Sequence, residues 1–159
     1  MKITIISVGK IKESFYRDAI KEYSKRLSSY CKFEIKEVAD EKTPDNASDL
    51  LCEQIKDKEG ERILKCIDEN GYLIALAIDG KKYDSVSFAN HIEKLTINGN
   101  SHIQFVIGGS LGLSGKVLSK SNEKISFSDM TFPHQLMRVI LSEQIYRGFR
   151  IIHNEPYHK

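Results

Sequence analysis

No stretch of this 159-residue chain approaches the roughly 20 consecutive apolar residues of a membrane-spanning helix. Cysteine is scarce and scattered. Cys31, Cys52 and Cys66 form an odd, widely spaced set, which gives neither a disulfide framework nor a zinc signature and fits free thiols in a reducing compartment. No charge dominates: 24 Lys and Arg stand against 22 Asp and Glu, a formal net charge of +2. That balance neither demands nor excludes nucleic acid. A secretory signal would need a longer apolar region and a small-residue cleavage site. The first residues instead run into a strand-like segment, Lys2-Ile3-Thr4-Ile5-Ile6-Ser7-Val8, so a cytoplasmic protein is expected.

What is present is an ordinary globular composition, 40% hydrophobic and 29% charged, at the usual size of one domain. Strand and helix patterns alternate. Residues 2–8 read as a strand, and 13–27 as an amphipathic helix with Tyr16, Ile20, Tyr23 and Leu27 at helical spacing. Residues 31–38 read as a half-exposed edge strand. A long charged helix follows over 48–69, interrupted at Gly60. The apolar run Tyr72 to Ile78 reads as a parallel strand covered on both faces and ended by a turn at Asp79-Gly80. A helix over 85–95, a strand over 103–107, a short helix near 113–120 and a strand over 124–128 come next. A helix from Pro133 to about Tyr146 is followed by a last short strand, Arg150 to His153, and a tail, Pro156-Tyr157-His158-Lys159. The alternation predicts an α/β fold: an open, mostly parallel sheet with helices on both faces, with ligands bound at loops beyond the C-terminal ends of the strands. Three loops qualify: Asp79-Gly80, Gly108 to Gly112, and Ser128 to Phe132.

The glycine-rich loop says little alone. It fails the Walker pattern, because Ser110 and Val117 stand where Gly and Ser or Thr are needed, and it fails G-x-G-x-x-G. It remains a structural turn or a ligand loop whose backbone N–H groups face a nucleoside or anion. Phe127-Ser128-Asp129-Met130-Thr131-Phe132 either sandwiches an aromatic ligand or packs its phenylalanines into the core. On the next helix, Gln135, Arg138 and Ser142 share a face, and Glu143 and Arg147 form an i,i+4 pair. The mixed apolar and polar faces point to burial on several sides, as in a subunit interface. Two regions are rich in base. Residues 10–26 hold six basic residues against three acidic ones, and the last 27 residues hold Arg138, Arg147, Arg150 and Lys159 with His134, His153 and His158. Each is either a solvated face or, if the two meet, a modest basic surface. Tyr157, His158 and Lys159 are either surface residues or groups delivered to a ligand, a tyrosine to a base and a lysine to a phosphate.

Taken together, several motifs are similar to one family. They are Leu76-Ala77-Ile78-Asp79-Gly80, Phe105-Val106-Ile107-Gly108-Gly109, Ser128-x-x-Thr131-x-x-His134-x-x-x-Arg138, Leu141-x-Glu143-Gln144-x-Tyr146-Arg147, and Pro156-Tyr157-His158-Lys159. The chain resembles, over essentially its whole length, the bacterial large-subunit ribosomal RNA pseudouridine N3-methyltransferases of the SPOUT class. The resemblance implies a single domain over 1–159 with a C-terminal trefoil knot, one of the rare exceptions to unknotted topology. It implies S-adenosylmethionine as cofactor, held at Leu76, Gly108, Phe127, Ser128, Asp129, Met130, Thr131 and Phe132, and no metal. It also implies a homodimer acting on a pseudouridine of 23S rRNA in the assembled ribosome, away from membranes. Tyr157 and His158 would position the pseudouridine, and the His158 imidazole would also relay the proton. Arg138 would contact phosphate or stabilise the deprotonated ring. Glu143, Tyr146 and Arg147 would orient the tail or seal the interface. A different reading is a non-enzymatic RNA- or ribosome-binding protein of the same fold. A Rossmann-type nucleotide enzyme is disfavoured by the failed glycine fingerprints.

Overall fold

The computed structural model describes residues 1–159, in which strands and helices alternate along the chain. The strands are β1 (Lys2–Val8), β2 (Lys32–Val38), β3 (Tyr72–Lys82), β4 (His102–Ile107) and β5 (Glu123–Ser126). The helices are α1 (Ser14–Leu27), α2 (Asp49–Leu64), α3 (Ser85–Ile97), α4 (Gly115–Lys120) and α5 (His134–Ile152). All strand pairs are parallel, in the order β2-β1-β4-β3-β5. Parallel neighbours need crossover connections, and helices supply them.

Alternation along the strands sorts the core into two layers. Ile3 and Ile5 of β1 join Ile103 and Phe105 of β4 on the face packed by Leu27 of α1, Phe88 and Ile92 of α3, and Leu141 and Ile145 of α5. Ile6, Val8 and Val106 turn to the other face, against Ile63 of α2 and Val117 of α4. Side-chain caps fix three helix starts. Ser48 accepts from Leu51 N–H and Ser114 from Val117 N–H, while Asp84 and Ser87 form a reciprocal capping box. Beneath the sheet, at the N-terminal ends of the strands, a buried polar group is satisfied internally. His102 Nε2 lies 2.9 Å from Thr4 Oγ1 and its Nδ1 3.1 Å from Asp68 Oδ2, and Gln104 exchanges two hydrogen bonds with the Asp68 backbone.

Four expectations need correction. Arg150 to His153 is not a strand, because α5 continues through Ile152 and His153 caps it. The β-branched Ile151-Ile152 pair favours a strand locally. Packing overrides it: Tyr30 stacks on Phe149 at 5.4 Å and accepts from Arg150 Nη1 at 3.1 Å. The first long helix stops at Leu64 instead of Glu69, and Gly60 does not break it. Gly60 sits where α2 passes α4's cap, and a Cβ there would collide with Ser114 Oγ. Asp79-Gly80 does not end β3 either. The strand resumes pairing with β5, with Leu76 and Lys81 both opposite Ile125, so residues 77–80 arch out between them. The strand expected over 124–128 ends at Ser126, leaving 127–133 as a loop.

Candidate active site

The arch within β3 and the loops after β4 and β5 enclose a cavity of about 620 Å³. Residues 76–78 of the β3 arch form one wall, 107–112 a second, and 125–133 without Asp129 a third, with His134 and Met137 of α5 beside them. The second and third are the loops singled out in the sequence, whereas the first wall is built by Leu76, Ala77 and Ile78 and not by the expected Asp79-Gly80 turn. The volume falls in the range of small-molecule sites, and most of the lining is apolar.

The glycine turn is built by close approach. A Cβ at Gly108 would lie 2.6 Å from the Gly112 carbonyl carbon. Gly112 itself has φ +86° and donates its N–H to Gly109 O at 3.1 Å. Only glycine permits this fold of backbone against backbone. The third wall is held by its own short bonds, Ser126 Oγ to Ser128 O at 3.1 Å and Met130 N–H to Ser128 Oγ at 3.0 Å. Phe127 lines the cavity and meets Phe88 edge-on at 6.3 Å in the core.

Of the residues expected to hold a cofactor, Leu76, Gly108, Phe127, Ser128, Met130, Thr131 and Phe132 all line this cavity. Asp129 does not, because its exposed carboxylate pairs with Lys82 Nζ at 2.5 Å. The alternation of a tight loop turns its side chain outward.

Arg138 is a clearer correction. Its side chain is fully buried, so within this chain it cannot contact phosphate or a substrate ring. Nη1 donates to Glu37 Oε1 at 2.8 Å, and Nη2 donates to Val8 O at 2.7 Å and Gly9 O at 2.8 Å. It ties α5 to the C-terminal ends of β1 and β2, directly under the helix turn that carries His134 and Met137. Burial holds His134 below the ordinary imidazole value; the charge of Arg138 adds to this and Asp40 opposes it.

The tail is tied down, as its composition suggested, but beside a different cavity. Tyr157 Oη donates to Glu143 Oε1 at 3.0 Å, and the Arg147 guanidinium lies over the Tyr157 ring at 4.7 Å. His158 Nδ1 is 3.3 Å from Arg147 Nη1. Burial first, then Glu143 and Tyr23, push the Tyr157 hydroxyl well up, so it stays a protonated donor. Neither Tyr157 nor His158 lines the large cavity of its own chain. From Glu143 a hydrogen-bond chain runs on: Gln144 Nε2 donates to Glu143 Oε2 at 2.8 Å, and Ser85 Oγ to Gln144 Oε1 at 2.9 Å. Ser85 and Gln144 line a second cavity of about 340 Å³ that shares Ile125, Ser126 and Phe127 with the first.

The two basic regions do meet, since α1 packs on α5 and Arg26 lies 5.7 Å from the Tyr146 ring centre. Arg147 and Arg150 are neutralised there by Glu143 and Glu155. No group of three or more His, Cys, Asp or Glu is arranged to hold a metal ion, and no helix is long and apolar enough to cross a membrane. Glu59, which no sequence motif marks, is buried against the glycine turn. In a helix full of charges it looked like one more solvated residue. The adjoining Gly60 was the available signal of close packing.

A family model described as "Predicted SPOUT methyltransferase" matches residues 1–158. Several curated proteins named "Ribosomal RNA large subunit methyltransferase H" are similar over the full length of both chains. The one from Clostridium tetani is 62% identical, that from Clostridium beijerinckii 60%, and that from Bifidobacterium adolescentis 61%. Among solved structures, "a probable methylase family protein from Haemophilus influenzae Rd KW20" superposes with a TM-score of 0.53 at 13% identity, over 99% of this chain and 70% of that one. That likeness concerns the fold.

Proposed function

Because the chain belongs to the SPOUT methyltransferase family, we propose that it transfers a methyl group from S-adenosylmethionine to N3 of a pseudouridine in large-subunit ribosomal RNA. The observation that carries this reading is the convergence of the β3 arch and the loops after β4 and β5 on one cavity, in a chain 60–62% identical to proteins named ribosomal RNA large subunit methyltransferase H. The fit to the cofactor is physical. Phe127, Met130 and Phe132 offer apolar surface for a purine, and the glycine turn brings bare backbone to the cavity edge. Leu76, Gly108, Ser128 and Thr131 complete the contacts, and Asp129 contributes by its backbone alone.

When bound, S-adenosylmethionine supplies a methyl group already activated by a positive sulfonium. The protein's part is alignment and proton removal. The acceptor N3 would have to be held facing the cavity and relieved of its proton for the methyl group to be taken up there. Tyr157 and His158 are the substrate-side groups: the hydroxyl donates a hydrogen bond, and the imidazole takes up or relays the N3 proton. Arg138 acts from below, as an anchor for the helix that borders the cavity.

The chain acts as a single domain over 1–159, carries the family's C-terminal knot, and works as a homodimer in the cytoplasm on the assembled ribosome. Support for the dimer lies at the cavity mouth. Ile78 and Met130 are 59% and 73% exposed there, an apolar rim suited to cover by a second copy. The tail stands outside its own large cavity, which supports a reading in which the tail of a second copy completes the site.

Mass spectrometry of 23S rRNA tests the reaction. Deleting the gene removes one N3-methyl mark on a pseudouridine, and adding the pure protein with S-adenosylmethionine to the unmodified ribosomes restores it. An unchanged modification pattern would rule the reaction out.

A further inference from the structure

Glu59 on α2 is only 4% exposed. Its Oε1 accepts the Glu41 N–H at 3.0 Å, and its Oε2 has no hydrogen-bond partner. The carboxyl abuts Gly109, a residue of the cavity wall: a Cβ built there would lie 3.0 Å from Oε2. It is held in place, because the next residue, Gly60, is pressed against Ser114 at the start of α4. Burial raises the carboxyl's pKa, opposed by the Glu41 N–H; Asp40 raises it further, Arg62 lowers it, and Glu41 adds a final increase.

A buried carboxyl oxygen with no donor is costly, and native proteins hold few of them. No cation of this chain reaches Oε2. Oε2 faces Gly109, so its uncompensated charge acts on whatever occupies the cavity beyond that residue. The cofactor proposed above changes charge there during turnover. The methyl donor carries a sulfonium cation, whereas the product left after transfer has a neutral sulfur and is otherwise the same molecule. Through a thin wall of glycine backbone, a fixed negative charge acts on that difference with little screening.

We infer that Glu59 is a charge-selecting residue: its buried carboxyl behind Gly109 favours the cationic methyl donor over the neutral-sulfur product. The inference rests on the cofactor reading, and it gives Glu59 a positioning role, since the side chain touches the loop and not the ligand. It also supplies a reason for product to leave, because attraction disappears with the transferred charge.

Calorimetric titration of the full-length protein with S-adenosylmethionine and with S-adenosylhomocysteine tests it. Glu59→Gln preserves size and the bond from Glu41. The variant is expected to weaken S-adenosylmethionine binding by about threefold to tenfold and to change S-adenosylhomocysteine binding less than about twofold. Equal weakening of both ligands would reduce Glu59 to a structural support of the loop and overturn the inference, as would no change in either. If the variant does not fold, the wild-type protein decides. Titrations in two buffers of different ionisation enthalpy at mildly acidic pH should show more proton release with the donor than with the product, and equal release overturns the proposal. Failure of the wild-type protein to bind either ligand would remove the cofactor reading itself, a distinguishable outcome.

Discussion

Tyr157 donates its hydroxyl hydrogen to Glu143 at 3.0 Å, and this bond fastens the C-terminal tail to the middle of α5. The same carboxylate oxygen receives Arg147 Nη2 at 2.6 Å and Nε at 3.0 Å. Tail, helix and cation thus share one anchor, next to the cavity lined by Ser85 and Gln144.

Removing residues 156–159 should abolish methylation and leave S-adenosylmethionine affinity within about twofold, since no tail residue lines the large cavity. Tyr157→Phe, which loses one partly buried hydrogen bond, should cost about 0.5–1.5 kcal/mol in urea unfolding. A truncated protein that still methylates ribosomes normally would take the substrate role away from Tyr157 and His158.

Arg138→Met should destabilise the protein by roughly 3–5 kcal/mol, because it leaves Glu37 and two buried carbonyls without their donor. Arg138→Lys should recover only part of this, because one ammonium cannot match the planar fork. Urea midpoints at constant m-value measure both. A variant as stable as the wild type, with only RNA binding reduced, would return Arg138 to the substrate side.

Gly108→Ala places a methyl group against the Gly112 backbone. The turn must open, so cofactor binding should fall at least about tenfold, with a stability loss on the order of 1–3 kcal/mol. Calorimetry beside thermal melting separates the two effects.

Glu59→Gln should stabilise the unliganded protein at neutral pH by on the order of 1 kcal/mol. The Glu59 pKa is raised in the folded state, chiefly by burial. The unfolded chain therefore releases this proton at a lower pH than the folded chain, and folding stability drains away as pH rises through the interval between the two values. Glutamine has no such proton. The gain should shrink towards zero in acid, and urea unfolding at several pH values would show it. A gain that is constant with pH would point to packing instead.

Met130→Lys puts a charge on the apolar rim of the cavity mouth. It should shift the protein from dimer towards monomer in analytical ultracentrifugation. A dimer of unchanged affinity would place the subunit interface elsewhere.

Much of the fold could be read from periodicity, because β1, β4 and the apolar start of β3 are covered on both faces and α1 carries a clean amphipathic stripe. What escaped depended on neighbours far away in the chain. The Ile151-Ile152 pair looks like a strand until Tyr30 is stacked against Phe149. Residues 77–80 look like a terminal turn until β5 is known to pair on both sides of them. The glycine loop and the Phe127–Phe132 loop, which line the cavity, were legible because glycines and paired phenylalanines are unusual at strand ends. That the Asp129 side chain turns away from the cavity was not legible, because the direction of a side chain in a tight loop is set by partners such as Lys82. Arg138 was misplaced for a similar reason. On a helical wheel it shares a face with Gln135 and Ser142, and only the sheet edge beneath shows that this part of the face is interior. Glu59 could not be found from charge pattern, since its meaning comes from Gly109, fifty residues on.

The polar cluster of buried Thr4, His102 and Gln104 with exposed Asp68 lies at the end of the sheet opposite the cavity. The turn at Asn98–Asn100 leads into β4 at that same end, and around Gly99 there is open space. This gives the molecule a pole suited to handling. A dye, affinity tag or surface linker grafted at that turn would leave the working loops pointing away from the attachment point, so an immobilised copy could still be presented with an entire ribosome.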